Sequence, residues 1–280
     1  MPYSRHKGVG TYYEVAGEGP DLLLLHASPW DHTMWLHQIA HFSTWFRVIA
    51  VDIRSFGRSD PVLTPFTFSA LTEDMIALCE RESIKDAVIM GASLGSRLAL
   101  TLAHGRPDLF KAVILVGGNA ESSGSSDSDR RRIDRAKRYR DGDAAKAYEW
   151  QLRGTVSDHW QKTTLGQAIL SAMLEKASAV NGLARSLIAE AQAGMNRAAL
   201  LPGIKQPVLI VTGELDRSLE GAQAAARQLP NGEHKTLPGV GHCCCVEDPA
   251  TFDAWVIDFL TDHDLMPRIR SATDFQTSSP

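Results

Sequence analysis

Five short stretches of the chain are apolar at nearly every position, and a sixth is a weaker candidate strand. They are DLLLLHA at 21–27, FRVIAVD at 46–52, DAVIMG at 86–91, KAVILVG at 111–117, PVLIVTG at 207–213 and, more weakly, GEHKTLP at 232–238. A strand covered on both faces loses the alternation of a half-exposed strand and reads as such a run. Helical periodicity lies between them. In 69–83, Leu71, Met75, Leu78 and Cys79 fall on one helical face; 95–107 is helical and is stopped by Gly105 and Pro107; 248–260 starts a late helix with Pro249 near its N-terminus. Strand–helix alternation of this kind predicts an α/β fold with a mostly parallel central sheet flanked by helices.

The alternation breaks between two late strands. Residues 119–129 (NAESSGSSDSD) form a polar, Ser-rich loop, and from Arg130 to Leu201 the pattern is helical with no strand-like run. In 165–178, Leu165, Ile169, Ala172 and Met173 mark the expected inward face. The predicted organisation is an α/β core from 1–118 and 206–280, an all-helical cap from 119–205 inserted into it, and a weakly ordered tail at 268–280. No internal repeat is present.

One apolar run stops unusually: VIMGASLGSRLA at 88–99 halts at Gly91, shows Ser93, and resumes as small and apolar residues after Gly95. A serine hydroxyl is a poor nucleophile unless a base reaches it. G-x-S-x-G between a strand and a helix is the sequence of a tight turn that lifts the hydroxyl over the C-terminal edge of a sheet, and the helix behind it aims backbone N–H groups at developing negative charge. The five-residue pattern alone also fits a plain glycine-rich turn. Its partners decide between the two. His242, in LPGVGHCCCVEDP between a Gly-rich turn and a helix, has the position expected of the base. Asp216, in PVLIVTGELD just beyond a strand, is the favoured orienting acid, with Glu214 as nearest competitor and Glu121 as a weaker one. The other histidines read as surface or satisfied core residues, His26 as a structural loop residue and His32 as a surface one, with a place facing the substrate as its alternative.

With these segments in place the chain resembles the α/β-hydrolase fold superfamily. LLLLHASPWD, VIAVDIRSFGRSD, MGASLGS and PGVGHCCCVEDP, with GELD before it, carry the likeness, and the order Ser93, Asp216, His242 is that superfamily's order. The nearest flavour is its serine-nucleophile branch of enol-lactonases, cofactor-free haloperoxidases and small esterases. The resemblance implies a lid formed by the helical insertion. It also implies a mechanism in which His242 deprotonates Ser93, Asp216 holds the imidazole, and the backbone N–H groups of Leu94 and Ser28 hold the oxyanion, with Trp30 near the pocket mouth. Two positions depart from the pattern: Ala27 and Ser55 stand where glycines are usual. Asn119, Trp150 and Trp160 are candidate pocket residues, with Met173 and Met195 behind them.

Composition narrows the partners. The chain has 280 residues, 44% of them hydrophobic, with 29 Lys+Arg against 33 Asp+Glu. That balance draws it to neither nucleic acid nor an anionic membrane. The one basic run, Arg130–Arg132, sits beside Asp127, Asp129 and Asp134 and reads as a solvated helix start. No apolar leader stands at the N-terminus and no stretch is long enough to span a bilayer. Of four cysteines, Cys79 stands alone and Cys243–Cys245 are consecutive. They offer no disulfide framework and no zinc geometry, and a reducing, cytoplasmic setting fits. They read as small apolar residues packing a helix start; a thiol reagent at Cys243 would then disturb His242. No motif calls for a cofactor or metal, and the sequence carries no oligomer signal, although a homodimer is compatible with it.

The expected activity is a cofactor-free serine hydrolase acting on an ester or lactone of a small organic substrate through an acyl-enzyme. Serine rather than aspartate in the elbow argues against alkyl-enzyme chemistry on halides or epoxides. A carbon–carbon bond hydrolase acting on a ring-cleavage product, a vinylogous diketone, is the alternative. A non-enzymatic ligand receptor on the same fold is the third reading.

Overall fold

In the computed structural model, which describes residues 2–118, 126–192 and 197–267, all six stretches are strands of one eight-stranded sheet. The strands are β1 (Tyr3–His6), β2 (Val9–Ala16), β3 (Asp21–Leu25), β4 (Arg47–Val51), β5 (Ala87–Ala92), β6 (Phe110–Val116), β7 (Val208–Gly213) and β8 (Gly232–Leu237). Their spatial order is β1-β2-β4-β3-β5-β6-β7-β8. From β4 to β8 every neighbouring pair is parallel, whereas β1–β2 and β2–β4 are antiparallel. The first two strands escape an apolar-run criterion. They form an edge hairpin turning at Lys7 and Gly8, both at positive φ (46° and 82°), and mix buried polar residues such as Ser4 and Thr11 with apolar ones.

Ten α-helices complete the described chain: α1 (Leu36–Phe42), α2 (Phe68–Arg81), α3 (Leu94–Gly105), α4 (Ser126–Asp141), α5 (Ala144–Arg153), α6 (Thr164–Leu174), α7 (Gly182–Ala191), α8 (Leu219–Gln228), α9 (Cys244–Glu247) and α10 (Pro249–Asp262). The sheet's two faces explain the continuous runs. On β3, Leu22 and Leu24 pack into one apolar cluster and Leu23 and Leu25 into another, and all four are fully buried. The first cluster takes Phe42 of α1 and Phe252, Val256 and Phe259 of α10; the second takes Leu71, Met75 and Leu78 of α2 and Leu98 and Leu102 of α3. Each such side chain contributes roughly 1.5–3 kcal/mol of transfer free energy.

Helices α4 to α7 lie between β6 and β7, with no strand among the described residues there. They join the α10-side cluster through Tyr148, Leu152, Leu170 and Met173. The inward face of α6 differs from the sequence expectation. Leu165 is 48% exposed and Ala172 is also exposed, while Gly166, Leu170 and Met173 are buried. A Cβ on Gly166 would lie 2.0 Å from the Trp160 carbonyl oxygen. The helix sits so close to that turn that Gly166 must face in, and the helix is rotated accordingly. No helix among the described residues is long and apolar enough to cross a membrane. Asn119, Glu121, Met195 and the expected tail at 268–280 lie outside the described residues.

Candidate active site

The interrupted run at 88–99 becomes β5, a one-residue turn and α3. Ser93 sits at that turn with φ 49° and ψ −98°, a conformation that costs a non-glycine residue on the order of 1–3 kcal/mol and persists only where the surroundings enforce it. The enforcement is steric. A Cβ on Gly91 would lie 2.3 Å from the Gly95 carbonyl oxygen, and a Cβ on Gly95 would lie 2.0 Å from the Leu25 carbonyl oxygen. Strand, turn and helix therefore close on one another only with glycine at both places. The Ser93 N–H donates to the Val116 carbonyl (2.9 Å), and the buried Ser96 hydroxyl donates toward the carbonyls of Gly91 (2.7 Å) and Val116 (3.0 Å). Ser96 is thus a brace of the turn, which its small size alone did not reveal.

Two other strand ends bring the partners. Beyond β7, Asp216 is 8% exposed, and its Oδ2 lies 2.8 Å from Nδ1 of His242, on the loop after β8. Ser218 donates to the same carboxylate twice, through its hydroxyl to Oδ2 (2.6 Å) and its N–H to Oδ1 (2.9 Å). Burial alone would raise the Asp216 pKa; His242 and Ser218 outweigh it and hold it below the usual carboxylate range. Ser93, Asp216, Ser218 and His242 line one cavity of about 670 Å³, together with Ser28. Glu214 is elsewhere: it is exposed and accepts the Gly239 N–H at 2.9 Å.

The loop after β3 is ordered by His26. This fully buried ring accepts the Ile53 N–H at Nε2 (3.0 Å), which leaves Nδ1 to donate to the Ala27 carbonyl (2.9 Å). Burial lowers its pKa to about 4 and keeps it neutral. Ala27 takes no positive φ, so the missing glycine costs nothing there, whereas Ser55 does stand at φ 66° and uses its hydroxyl to accept the Val62 N–H. His32 is not a surface residue. It is 4% exposed and bonded through Nδ1 to the buried Asp52 (2.8 Å), whose Oδ2 also takes the Arg58 N–H (2.8 Å), an arrangement that holds the loops after β3 and β4 together.

Several contacts tie the helical insertion to the core. Gln151 of α5 donates to the Ser28 hydroxyl (3.0 Å) and accepts from Tyr139 (2.9 Å). The Trp30 indole donates to the Thr155 hydroxyl (3.0 Å). Lys176 reaches Asp31 (2.6 Å). Glu247 takes the N–H groups of Ser157 (3.0 Å) and Gly241 (2.8 Å), joining the cap to the residue before His242. Burial pushes the Asp31 pKa up, but Lys176 and Thr33 prevail and bring it to about 2.

The pocket expectations divide. Trp150 lines the cavity, half-exposed, under the Arg138 guanidinium (4.5 Å). Trp30, only 1% exposed, is not at the mouth: it lies behind the Thr155 that does line the cavity. Trp160 is likewise buried packing, 6% exposed, against α6. Cys243, Cys244 and Cys245 are all buried and burial raises each thiol's pKa, so a thiol reagent has no route to Cys243. The largest departure concerns the basic run. Arg130 and Arg131 are exposed, as a solvated helix start requires, but Arg132 is only 5% exposed, and Arg131 and Arg132 both line the cavity with Arg135.

Comparison with known proteins agrees with the fold. The alpha/beta hydrolase fold family profile matches residues 20–249. The chain belongs to that family. The enol-lactonase from Burkholderia xenovorans LB400 superposes with a TM-score of 0.84 over 93% of this chain and all of that one, at 24% identity. Est816, described as an N-acyl homoserine lactone degrading enzyme, gives a TM-score of 0.77 over 92% of this chain and 100% of that one, at 25% identity. An epoxide hydrolase of Caballeronia sordidicola is 35% identical over 109 residues, 38% of this chain and 33% of that protein. The chain spans from about a third to about half of the length of the curated relatives it matches first.

Proposed function

We propose that the protein is a serine hydrolase that cleaves a carboxylic ester or lactone of a small organic substrate. The observation that carries the reading is the convergence of Ser93, at a strained strand-to-helix turn, and of His242, hydrogen-bonded to the buried Asp216, on one cavity. In the reaction, Nε2 of His242 takes the Ser93 proton as Oγ bonds to the carbonyl carbon. The tetrahedral oxyanion is held by the backbone N–H groups of Leu94 and Ser28, where loss of one donor costs about 3 kcal/mol. His242 then gives its proton to the leaving oxygen as the C–O bond breaks. A lactone's leaving alcohol remains tethered to the acyl group. Water, deprotonated by the same imidazole, releases the acid and restores Ser93. Asp216, kept ionised by His242 and Ser218, fixes the Nδ1–H tautomer and stabilises the imidazolium.

Ser93 also weighs against epoxide chemistry despite the partial likeness to epoxide hydrolases, because that reaction through an alkyl-enzyme calls for a carboxylate in the elbow. The test is hydrolysis of a graded set of p-nitrophenyl esters and simple lactones by the wild type, Ser93→Ala and His242→Ala. Turnover lost by about 10⁴-fold or more in both variants is expected. Turnover that survives in either variant, or its absence in folded wild type with cleavage of a vinylogous diketone instead, would replace the ester reading.

A further inference from the structure

The cavity carries a charge that the mechanism does not use. The chain has a net charge of −4, yet six arginines line this one cavity: Arg97, Arg131, Arg132, Arg135, Arg153 and Arg217. Among the described residues two carboxylates line it with them, Asp216, committed to His242 and Ser218, and the exposed Asp158. Arg97 is bonded to Gln192 (2.7 Å) and Arg153 to Glu149 (2.8 Å). Arg131 and Arg135 are one turn apart on α4, and Arg217 follows Asp216 directly, so cap and core present cations to the same space. The Arg135 Nε is buried and has no hydrogen-bond partner among the described residues. Burial, together with repulsion from Arg132, Arg217 and Arg131, lowers its pKa. Gathering like charges in a cleft and leaving a buried guanidinium N–H unsatisfied is unfavourable. An oxyanion between the arginines reverses the sign of that energy, and the guanidinium fork suits it.

We propose that Arg131, Arg135 and Arg217 bind an anionic oxyacid group on the substrate, so that the compound cleaved at Ser93 is an acidic ester or lactone, such as a half-ester of a dicarboxylic acid. This rests on the hydrolase reading given above. The test compares p-nitrophenyl hemiglutarate with its methyl-capped neutral counterpart, in wild type, Arg135→Gln and the exposed-site variant Arg217→Gln, at low and high salt. The wild type is expected to favour the acidic ester by about tenfold or more in kcat/KM at low salt, with the preference shrinking as salt rises. Each substitution is expected to lower kcat/KM on the acidic ester, through KM, about tenfold more than on the neutral one. Competitive inhibition by glutarate and by inorganic phosphate then distinguishes a carboxylate from a phosphate group as the preferred anion. Equal turnover of the two esters, or equal losses in the variants, overturns the anion site and leaves the hydrolase reading standing. If neither ester is cleaved, the hydrolase reading fails instead. Calorimetric titration with glutarate still decides the site: binding that Arg217→Gln weakens upholds it, and no binding overturns it.

Discussion

Two walls of one cavity are built by opposite means. The elbow wall, from Gly91 to Ser96, is held by backbone packed against backbone, with no room for a Cβ at Gly91 or Gly95 and with Ser96 bracing two carbonyls. The cap wall is held by side chains: Gln151 on Ser28, Thr155 on Trp30, Lys176 on Asp31 and a row of arginines on α4. Backbone packing places one oxygen rigidly, as a nucleophile requires. Side-chain contacts can be exchanged without unfolding the sheet, as a surface that selects substrates requires. The comparison teaches that chemistry and selectivity are assigned here to different kinds of interaction.

Perturbing each wall should therefore give different kinds of loss. The largest effect is expected behind the elbow. Asp216→Asn keeps the shape but reverses the hydrogen-bonding demand on His242, and kcat should fall by about 10⁴ with the folded state retained, measured by steady-state kinetics beside circular dichroism. Within the elbow, Gly95→Ala should destabilise the fold by roughly 3 kcal/mol, since a methyl 2.0 Å from the Leu25 carbonyl forces backbone apart; denaturant unfolding measures it. An unchanged midpoint would show that the elbow is softer than its packing implies.

The loop after β3, which supports Ser28, should reveal itself through pH. His26 is neutral in the fold with a pKa near 4, against 6.5 when unfolded. Between those values the unfolded chain binds the extra proton, so stability should fall as pH drops from about 6.5 to 4, by about 3 kcal/mol in all. Asp31 acts lower down: its pKa falls from 3.8 to about 2, so its contribution is present above 3.8 and lost as pH falls toward 2. Denaturant unfolding across pH 4 to 7 should therefore show the His26 slope, absent when His26 is replaced by Asn. The smallest effect belongs to the cap. Lys176→Met removes a partly exposed partner of Asp31 and should cost about 1 kcal/mol or less, while shifting KM more than kcat.

What was legible in the sequence follows the same division. Five of the parallel strands, β3 to β7, were readable because burial on both faces leaves continuous apolar runs, and Leu22 to Leu25 serve both clusters at once; β8, mostly half-buried, gave only a weak signal. The β1–β2 hairpin was not, since an edge pair mixes Ser4 and Thr11 with its aromatics. Ser93, Asp216 and His242 stood out through chain order and strand ends, and the structure brings them to one cavity. Ser218 and Ser96 did not, because a hydroxyl that braces a carboxylate or a carbonyl looks like any serine. The cap resisted most. Which face of α6 turns inward is set by packing on the Trp160 turn just before it, which the helix's own apolar periodicity does not encode. Arg131 and Arg132 read as part of a solvated helix start because charge alone does not tell bulk water from a cavity wall.

The central claim is that His242 and Asp216 activate Ser93. Labelling with a fluorophosphonate, followed by peptide mass spectrometry, tests it most directly. The account predicts a single phosphonyl adduct on Ser93 in the wild type, slowed by about 10³-fold or more in His242→Ala and absent from Ser93→Ala. A wild-type protein that is folded and unlabelled, or labelled equally well without His242, would contradict it.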